Sequence, residues 1–331
     1  MQRDRLFDIL CGMIAAKGRD KTLLGDGIDI ARHAFCRMAP ESSFVHAYFE
    51  IPLLGTPTFD VLCSVEHGQV ATIAGDGTDG PWQAALAWLR DAGPFATNAR
   101  RVLLVAEADT STGQAMQSGM YLIQRERADL VAPFFHVVGE PDRIDAWERF
   151  ARRLPKGWET TYTGLFPSRP NTPLRVNAHP SPTTADASGI EESCETLGID
   201  FSGNAKGLFL ELASIARGYD IQFDLNNEGV PFDVFGLEFF LYDRVGEPHT
   251  DQGLGSRVMA PLEHAGIADK RWQRAADACR SRIVALPGNG QELESIAVNV
   301  RPFSVKYKVI GGRPLPAKLY LSADARVLVR R

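Results

Sequence analysis

A chain of 331 residues, 44% hydrophobic and 23% charged, has the composition of a globular protein with a large core, and it can form two ordinary domains or one large one. Its formal net charge of −5 argues against nucleic acid as a partner, and no apolar run approaches the ~20 residues needed to span a bilayer. Five scattered cysteines without CxxC spacing indicate neither a disulfide framework nor a zinc site, and with no signal-peptide segment we expect a cytoplasmic protein with no membrane partner.

The first half of the chain predicts helices that alternate with pairs of strands. Leu6, Ile9, Leu10 and Ile14 form a helix-spaced apolar stripe, so residues 1–40 are predicted to be an N-terminal helical segment. The later elements of this half are strands at 45–53, 58–66, 101–108 and 120–125, helices at 81–91 and 140–154, and a further apolar run at 130–138.

The second half continues the same alternation. Its predicted elements are strand pairs at 160–166 with 173–179 and at 219–225 with 232–242, helices at 188–197, 204–217, 253–264 and 270–282, and a last hairpin of 304–310 with 315–321. Gly311 and Gly312 connect the arms of that hairpin, and glycine supplies the positive φ angles that a tight turn needs. The order throughout is helix, two strands, helix, two strands, with roughly ten strands in all.

This order favours an α+β fold with an antiparallel sheet. Short loops join the strands of each pair, which makes the pairs antiparallel, whereas a doubly wound parallel sheet would alternate single strands with single helices. Two architectures remain open: an α+β sandwich or pair of ferredoxin-like units, and a closed antiparallel barrel surrounded by helices. The closed barrel of about ten strands leaves no exposed edges, and we expect residues 1–331 to form one such domain.

The last hairpin concentrates positive charge on one face. Because alternate residues of a strand share a face, Lys306 and Lys308 point away from Val305, Tyr307 and Val309. In the second arm, Lys318 and Tyr320 point away from the apolar residues in the same manner. On an open surface these lysines would simply be solvated, but inside a barrel they would form a pocket for a polyanion.

Other strands carry polar residues on the corresponding face. If helices cover the apolar side of the sheet, the opposite face collects Tyr48, Glu50, Arg175, Asn177, His179, Gln222, Asp224, Glu238, Phe240 and Tyr242. Aromatic rings and amides are more frequent in this set than in an ordinary solvated strand face, although solvent exposure remains the alternative. GxGxxG, P-loop, HExxH and GxSxG motifs are absent from the sequence, and the histidines show no ligand spacing.

A chain of αββα units with Lys-x-Tyr in Pro316-Ala-Lys-Leu-Tyr-Leu-Ser322 resembles the aromatic prenyltransferases of the αββα barrel, in particular the indole-type members and those that modify ribosomal peptides. The resemblance in architecture covers nearly the whole chain. It implies that Arg175, Lys306, Lys308, Lys318 and Tyr320 bind a prenyl diphosphate co-substrate without a DDxxD motif, which this sequence lacks. No motif requires Mg²⁺, and family members differ in their use of it.

The same resemblance implies the roles of the other candidates. A carboxylate near the acceptor would position it and accept a proton, and Glu238 and Glu50 are the candidates. Tyr48, Gln222, Phe240 and Tyr242 would contact the acceptor, an aromatic small molecule or a peptide side chain. The leading hypothesis is a prenyltransferase, and the rival is a noncatalytic ligand- or peptide-binding accessory protein of a biosynthetic pathway. A third alternative is an open α+β protein whose lysines are solvated.

Overall fold

A computed structural model describes residues 2–14, 21–25, 27–58, 60–66, 69, 80–91, 101–107, 117–124, 127–166, 173–180, 187–241, 254–276, 280–287 and 293–330. The helices are α1 (Arg3–Ile14), α2 (Lys21–Leu24), α3 (Ile28–Met38), α4 (Gly80–Asp91), α5 (Val131–Val137), α6 (Ile144–Arg153), α7 (Ala187–Leu197), α8 (Gly203–Ile215), α9 (Leu254–His264) and α10 (Arg271–Ala276), with 3₁₀ turns at Ala128–Leu130 and Pro141–Arg143. The strands are β1 (Phe44–Pro52), β2 (Asp60–Val65), β3 (Arg101–Glu107), β4 (Gln117–Ile123), β5 (Glu159–Leu165), β6 (Leu174–His179), β7 (Gly218–Leu225), β8 (Pro231–Phe240), β9 (Arg280–Pro287), β10 (Leu293–Ile310), β11 (Arg313–Pro314) and β12 (Lys318–Arg330).

The described strands form one curled antiparallel sheet. Their order is β11-β10-β12-β1-β2-β3-β4-β5-β6-β7-β8, and β9 pairs with β10 outside this path. Strand β10 also pairs with β8, with Lys306 opposite Glu238. The antiparallel sheet with accompanying helices that the sequence predicts is confirmed. Within the described residues, no helix combines the length and the apolarity required to cross a membrane.

The main core lies between the helices and one face of the sheet. In β1 the buried residues Val45, Ala47, Phe49 and Ile51 alternate with the less buried side chains of the other face. The ring of Phe7 from α1 lies 6.4 Å from that of Phe49, and side chains of α3 pack beside it. Because helices cover the apolar face of strands such as β1, the other face of these strands is left to line the opposite, concave side of the sheet.

Strand β10 is longer than predicted and changes partners along its length. Its first part, through Val300, pairs with β9 and β12, and its second part, from Ser304, pairs with β8 and β12. The register shifts between Pro302 and Ser304, where proline supplies no N–H for the ladder and an irregularity allows the strand to bend. Beyond this irregularity β10 leaves β9 and places Lys306 opposite Glu238 of β8.

Two predictions about elements are wrong. Residues 270–282 do not form one helix, since α10 ends at Ala276 and β9 begins at Arg280; the β-branched pair Ile283-Val284 pairs with β10 instead. The second arm of the last hairpin begins at Lys318 rather than at residue 315 and extends to Arg330. The turn itself is as expected, because Gly311 and Gly312 have φ angles of 52° and 69°.

Candidate functional site

The concave side of the sheet encloses a cavity of about 440 Å³. Most of the site residues predicted from the sequence line it: Tyr48, Glu50, Arg175, Gln222, Glu238, Lys306, Lys308, Lys318 and Tyr320. Phe240 is buried and packs edge-on against Phe303, which lines the cavity, with the ring centroids 5.6 Å apart. Tyr242 lies outside the described residues. The cavity therefore brings together residues from β1, β6, β7, β8, β10 and β12, while their roles stay predictions.

One group of charges surrounds Arg175. Arg175 on β6 lies opposite Asp224 on β7, and its Nε donates a hydrogen bond of 2.8 Å to Asp224 Oδ1. One terminal nitrogen of the guanidinium donates to the hydroxyl of Tyr121 at 2.9 Å. Lys308 Nζ donates a hydrogen bond of 3.2 Å to the other carboxylate oxygen of Asp224. The face of the guanidinium also lies 4.9 Å from the ring centre of Phe166, so this arginine is held on several sides.

The protonation states in this group follow from burial and charge. Burial alone would raise the pKa of Asp224, but the charges and hydrogen bonds of Arg175 and Lys308 lower it below its ordinary value. Burial raises the pKa of Tyr121, and the nearby Arg175 offsets only part of that effect. At neutral pH the group therefore contains charged Arg175 and Asp224 beside a neutral Tyr121 phenol, whose O–H can donate a hydrogen bond to a further acceptor.

A second group is centred on Glu50. Lys318 and Tyr320 come from β12, which pairs with β1 so that Glu50 lies opposite Tyr320, and both side chains donate hydrogen bonds to the Glu50 carboxylate. Burial would raise the pKa of Glu50, but the charge of Lys318 and these hydrogen bonds outweigh it and lower the pKa. The charge of Glu50 raises the pKa of Lys318, and burial raises that of Tyr320. Glu50 is consequently an ionised, fully engaged carboxylate.

Lys306 lies between these two groups. Its ammonium donates a hydrogen bond to the side-chain oxygen of Gln222, and it lies opposite Glu238 in the pairing of β10 with β8. Glu238 in turn accepts a hydrogen bond of 2.7 Å from Ser304 Oγ. Burial lowers the pKa of Lys306 to about 8, although the charge of Glu238 acts in the opposite direction. Lys306 therefore begins to lose its charge at mildly alkaline pH.

The cavity cations all lie near carboxylates. Asp224 is shared by Arg175 and Lys308, and Glu50 is paired with Lys318. Asp60 lines the cavity as well and raises the pKa of Lys318 through its charge. An anion that enters the cavity therefore meets cations that already hold internal partners, and it must compete with those carboxylates for their N–H groups.

Sequence reasoning missed several lining residues, among them Tyr121, Tyr162, Phe303 and Tyr307. Tyr121 lies opposite Gly164 in the pairing of β4 with β5. A Cβ atom on Gly164 would overlap the Tyr121 ring, so glycine at this position allows the ring to lie across β5 with its hydroxyl at Arg175. A strand glycine opposite an aromatic residue is a recognisable signal, but only once the register of the two strands is known.

Within the part of the chain that the structure describes, no three His, Cys, Asp or Glu side chains are grouped so that they could hold a metal ion.

Comparison with solved structures identifies the fold. The 6-dimethylallyltryptophan synthase from Micromonospora olivasterospora, solved in complex with DMASPP and Trp, matches with a TM-score of 0.56 and 13% identity over 96% of this chain and 95% of that one. A second 6-dimethylallyl tryptophan synthase structure matches with a TM-score of 0.55 and 13% identity, over 97% of this chain and 95% of that one. No protein-family model and no curated protein matches the sequence. The fold is that of the aromatic prenyltransferases which the strand pattern resembles.

Proposed function

We propose that this protein is a prenyltransferase that moves a prenyl group from an allylic diphosphate to an aromatic or peptide side-chain acceptor. One observation carries the proposal: Arg175, Lys306, Lys308, Lys318 and Tyr320 converge on one cavity in a chain whose fold matches a dimethylallyltryptophan synthase solved with DMASPP and Trp. Cations on neighbouring strands, rather than on one loop, give the site the rigid geometry that leaving-group stabilisation requires.

We also infer that the sheet closes into a barrel and that the chain forms a single domain. Closure is supported by β10, which pairs with β8 at one edge and with β12 at the other. A closed ring of strands would separate the cavity from bulk water on all sides except its ends. Exclusion of water matters for this reaction because water would otherwise capture the allylic cation.

The diphosphate is expected to replace the internal carboxylates at the cations. Arg175 offers a planar set of donors suited to phosphate oxygens, and the lysines act as point charges. The C–O bond of the donor breaks with its electron pair leaving on the diphosphate, and the charge that develops there is neutralised by these side chains. Tyr320 and Tyr121 can shield the resulting carbocation with their ring faces and donate to phosphate oxygens.

The acceptor is expected to lie toward the aromatic side of the cavity. The ring of Tyr48 is 5.0 Å from that of Phe303, and Phe240 supports Phe303 from behind. Such a wall suits a flat ring placed against it. Glu238, which lies opposite Lys306 in the pairing of β10 with β8, would orient the acceptor, and Gln222 would supply an amide contact.

Incubation of the protein with dimethylallyl diphosphate and either tryptophan or an aromatic-containing peptide, followed by mass spectrometry, tests the proposal. The double variant Lys308→Ala/Lys318→Ala should lose transfer, because it removes two charges at the leaving group. Lys206→Ala is the matched control, since Lys206 pairs with Glu191 outside the cavity, and it should keep wild-type activity. Absence of both diphosphate binding and transfer in the wild type would contradict the proposal.

The charge pairing in the cavity favours a second candidate, a noncatalytic protein that binds a ligand or peptide. Cations that already hold carboxylates are less able to neutralise a leaving group and could serve a zwitterionic ligand instead. Tight binding of acceptor or diphosphate with no transfer from any allylic donor would support this candidate over the enzyme.

A further inference from the structure

A buried polar cluster occupies the concave face beyond the cations, at the other end of β6. His179 Nδ1 lies 2.8 Å from Asp220 Oδ1 and 3.1 Å from the backbone oxygen of Tyr219. The second oxygen of Asp220, a residue with 0% exposure, accepts a hydrogen bond of 3.1 Å from Thr161 Oγ1. His179, Asp220 and Thr161 come from three different strands, β6, β7 and β5, so the sheet itself fixes the cluster.

These contacts determine which ring nitrogen of His179 carries the proton. Both neighbours of Nδ1 are acceptors, a carboxylate and a carbonyl, so a neutral imidazole must carry its hydrogen on Nδ1. The lone pair then lies on Nε2. Among the described residues, none forms a hydrogen bond with Nε2, and the side chain keeps 37% of its surface accessible. A histidine oriented by a buried carboxylate and open at Nε2 has the arrangement of a general base.

The cluster adjoins the candidate site. On β6 the lining residue Asn177 precedes His179 by two positions on the same face, roughly 7 Å along the strand. On β7 the lining residue Gln222 follows Asp220 by two positions, and Glu238 lies directly opposite Asp220 on β8. Three residues that line the cavity are therefore direct neighbours of the cluster along or across the strands.

Asn177 is a second, independent indication of a ligand here. The residue is 5% exposed, and its side-chain amide oxygen is buried without a hydrogen-bond partner. An unpaired buried acceptor costs about 1–3 kcal/mol, so such groups in native proteins commonly have a functional explanation. An N–H or O–H group of a bound acceptor would satisfy it, at a point between the cations and His179.

We propose that His179, oriented by Asp220 and Thr161, takes the proton that the acceptor loses, and that Asn177 holds an N–H or O–H of the same acceptor. This inference rests on the proposed prenyl transfer. The donor C–O bond breaks with its electron pair on the diphosphate, and a bond forms between the allylic carbon and the acceptor. The acceptor then releases one proton to His179 Nε2, and the resulting imidazolium is stabilised by the Asp220 carboxylate. The substrate class is thus a ring or side chain that carries a hydrogen-bond donor.

Two groups that line the cavity, Glu50 and Lys306, are less suited to accept the proton of the acceptor. Glu50 is held ionised by Lys318 and Tyr320, so its oxygens are occupied and bind a proton weakly. Lys306 is engaged with Gln222, and its charge is needed near the leaving group. His179 therefore separates proton uptake from charge stabilisation.

The test compares His179→Asn, His179→Ala and Asp220→Asn with the wild type in steady-state transfer assays. The side-chain amide of Asn can still donate to Asp220 as Nδ1–H does, so this variant should fold and bind donor while it lacks a base. We expect kcat to fall about 100-fold or more in both His179 variants, with the KM for the diphosphate little changed. Added imidazole should restore part of kcat in His179→Ala, which a purely structural histidine would not show.

Separate measurements test the roles of Asp220 and Asn177. Asp220→Asn should lower kcat by about tenfold or more and shift the His179 tautomer away from Nδ1–H, as measured by ¹⁵N NMR of the imidazole. Asn177→Leu should raise the acceptor KM for an indole but not for its N-methyl analogue. His136→Asn is the control, because His136 lies exposed on α5.

Two outcomes are distinct. If the wild type transfers the prenyl group and both His179 variants keep kcat within about threefold, the role of His179 is overturned while the proposed function stands. If the wild type neither binds diphosphate by calorimetry nor transfers, the proposed function falls, and the inference falls with it.

Discussion

The shared carboxylate Asp224 should act as an internal competitor for the diphosphate. The Asp224→Asn substitution keeps the shape of the side chain but removes its charge from Arg175 and Lys308. Asp224 and Arg175 expose only 10% and 15% of their side chains. The substitution therefore leaves the buried charge of Arg175 without its anionic partner. Breaking such a pair costs about 3–5 kcal/mol, and we expect about 3 kcal/mol of unfolding free energy here since the amide keeps one acceptor oxygen.

The affinity for pyrophosphate should change in the opposite direction. A hydrogen bond to a charged group contributes about 1.5–3 kcal/mol and one between neutral groups about 0.5–1.5 kcal/mol. An anion that displaces the neutral amide of the variant from Arg175 therefore gives up roughly 1–2 kcal/mol less than one that displaces the Asp224 carboxylate, which corresponds to about tenfold tighter binding. Destabilisation and tighter anion binding in one variant form a signature that simple loss of structure does not produce.

Urea unfolding and calorimetric titration with pyrophosphate measure the two effects. Saturating pyrophosphate should also raise the unfolding free energy of the variant more than that of the wild type. Asp129→Asn provides a matched control, since Asp129 pairs with Arg127 on the surface, and it should change neither quantity appreciably. Unchanged or weaker pyrophosphate binding by Asp224→Asn would refute the competition argument.

Three further predictions concern the same cavity. Pyrophosphate affinity should fall as the pH rises through about 8, because Lys306 then loses its charge, and titration calorimetry at several pH values measures this. Gly164→Ala should cost about 1–3 kcal/mol of unfolding free energy by displacing the Tyr121 ring and should weaken anion binding, both measurable as above. Glu50→Gln should remove the loss of stability that the wild type shows between pH 4.5, below which Glu50 of the unfolded chain takes up a proton, and pH about 2, where the folded carboxylate beside Lys318 does so.

Each of these three predictions has a control variant in the same protein. Lys306→Arg keeps the charge and should give a flat pH dependence; an identical slope in that variant would assign the effect to another group. Gly207→Ala, on α8 with open space around the position, should be neutral or stabilising. For Glu50, the folded-state pKa lies below the unfolded one, so the stabilisation is present above pH 4.5 and lost on acidification; equal acid sensitivity in Glu50→Gln would contradict this assignment.

The faces of the strands could be predicted from the sequence better than their partners. Alternation alone placed Lys318 and Tyr320 on one side and Leu319 on the other, and helix cover on the apolar side then fixed which side is concave. The sequence could not supply the register. That Arg175 faces Asp224, or that Tyr121 faces Gly164, depends on cross-strand pairing between segments separated by many residues.

The missed strand β9 has a different cause. Residues 270–282 carry a helix-like distribution of charged and apolar side chains. From Arg280 onward, however, pairing with β10 overrides this local preference for helix. The full lengths of β10 and β12 could not be predicted from the sequence either. Ala323 and Ala325 are buried, but small side chains give a weaker alternation signal than the leucines and valines of the other strands.

The partner choice of β12 affects how the chain can fold during synthesis. Strand β1 bonds to β2 and, across most of the sequence, to β12. Its outer edge therefore stays without a neighbour until Lys318 and the residues after it have left the ribosome. Contacts of such long sequence separation are slow to form, and the cavity with Lys306, Lys308 and Lys318 is completed only after β12 has been synthesised. A chaperone that covers β1 in the interval would be expected to raise the yield of folded protein.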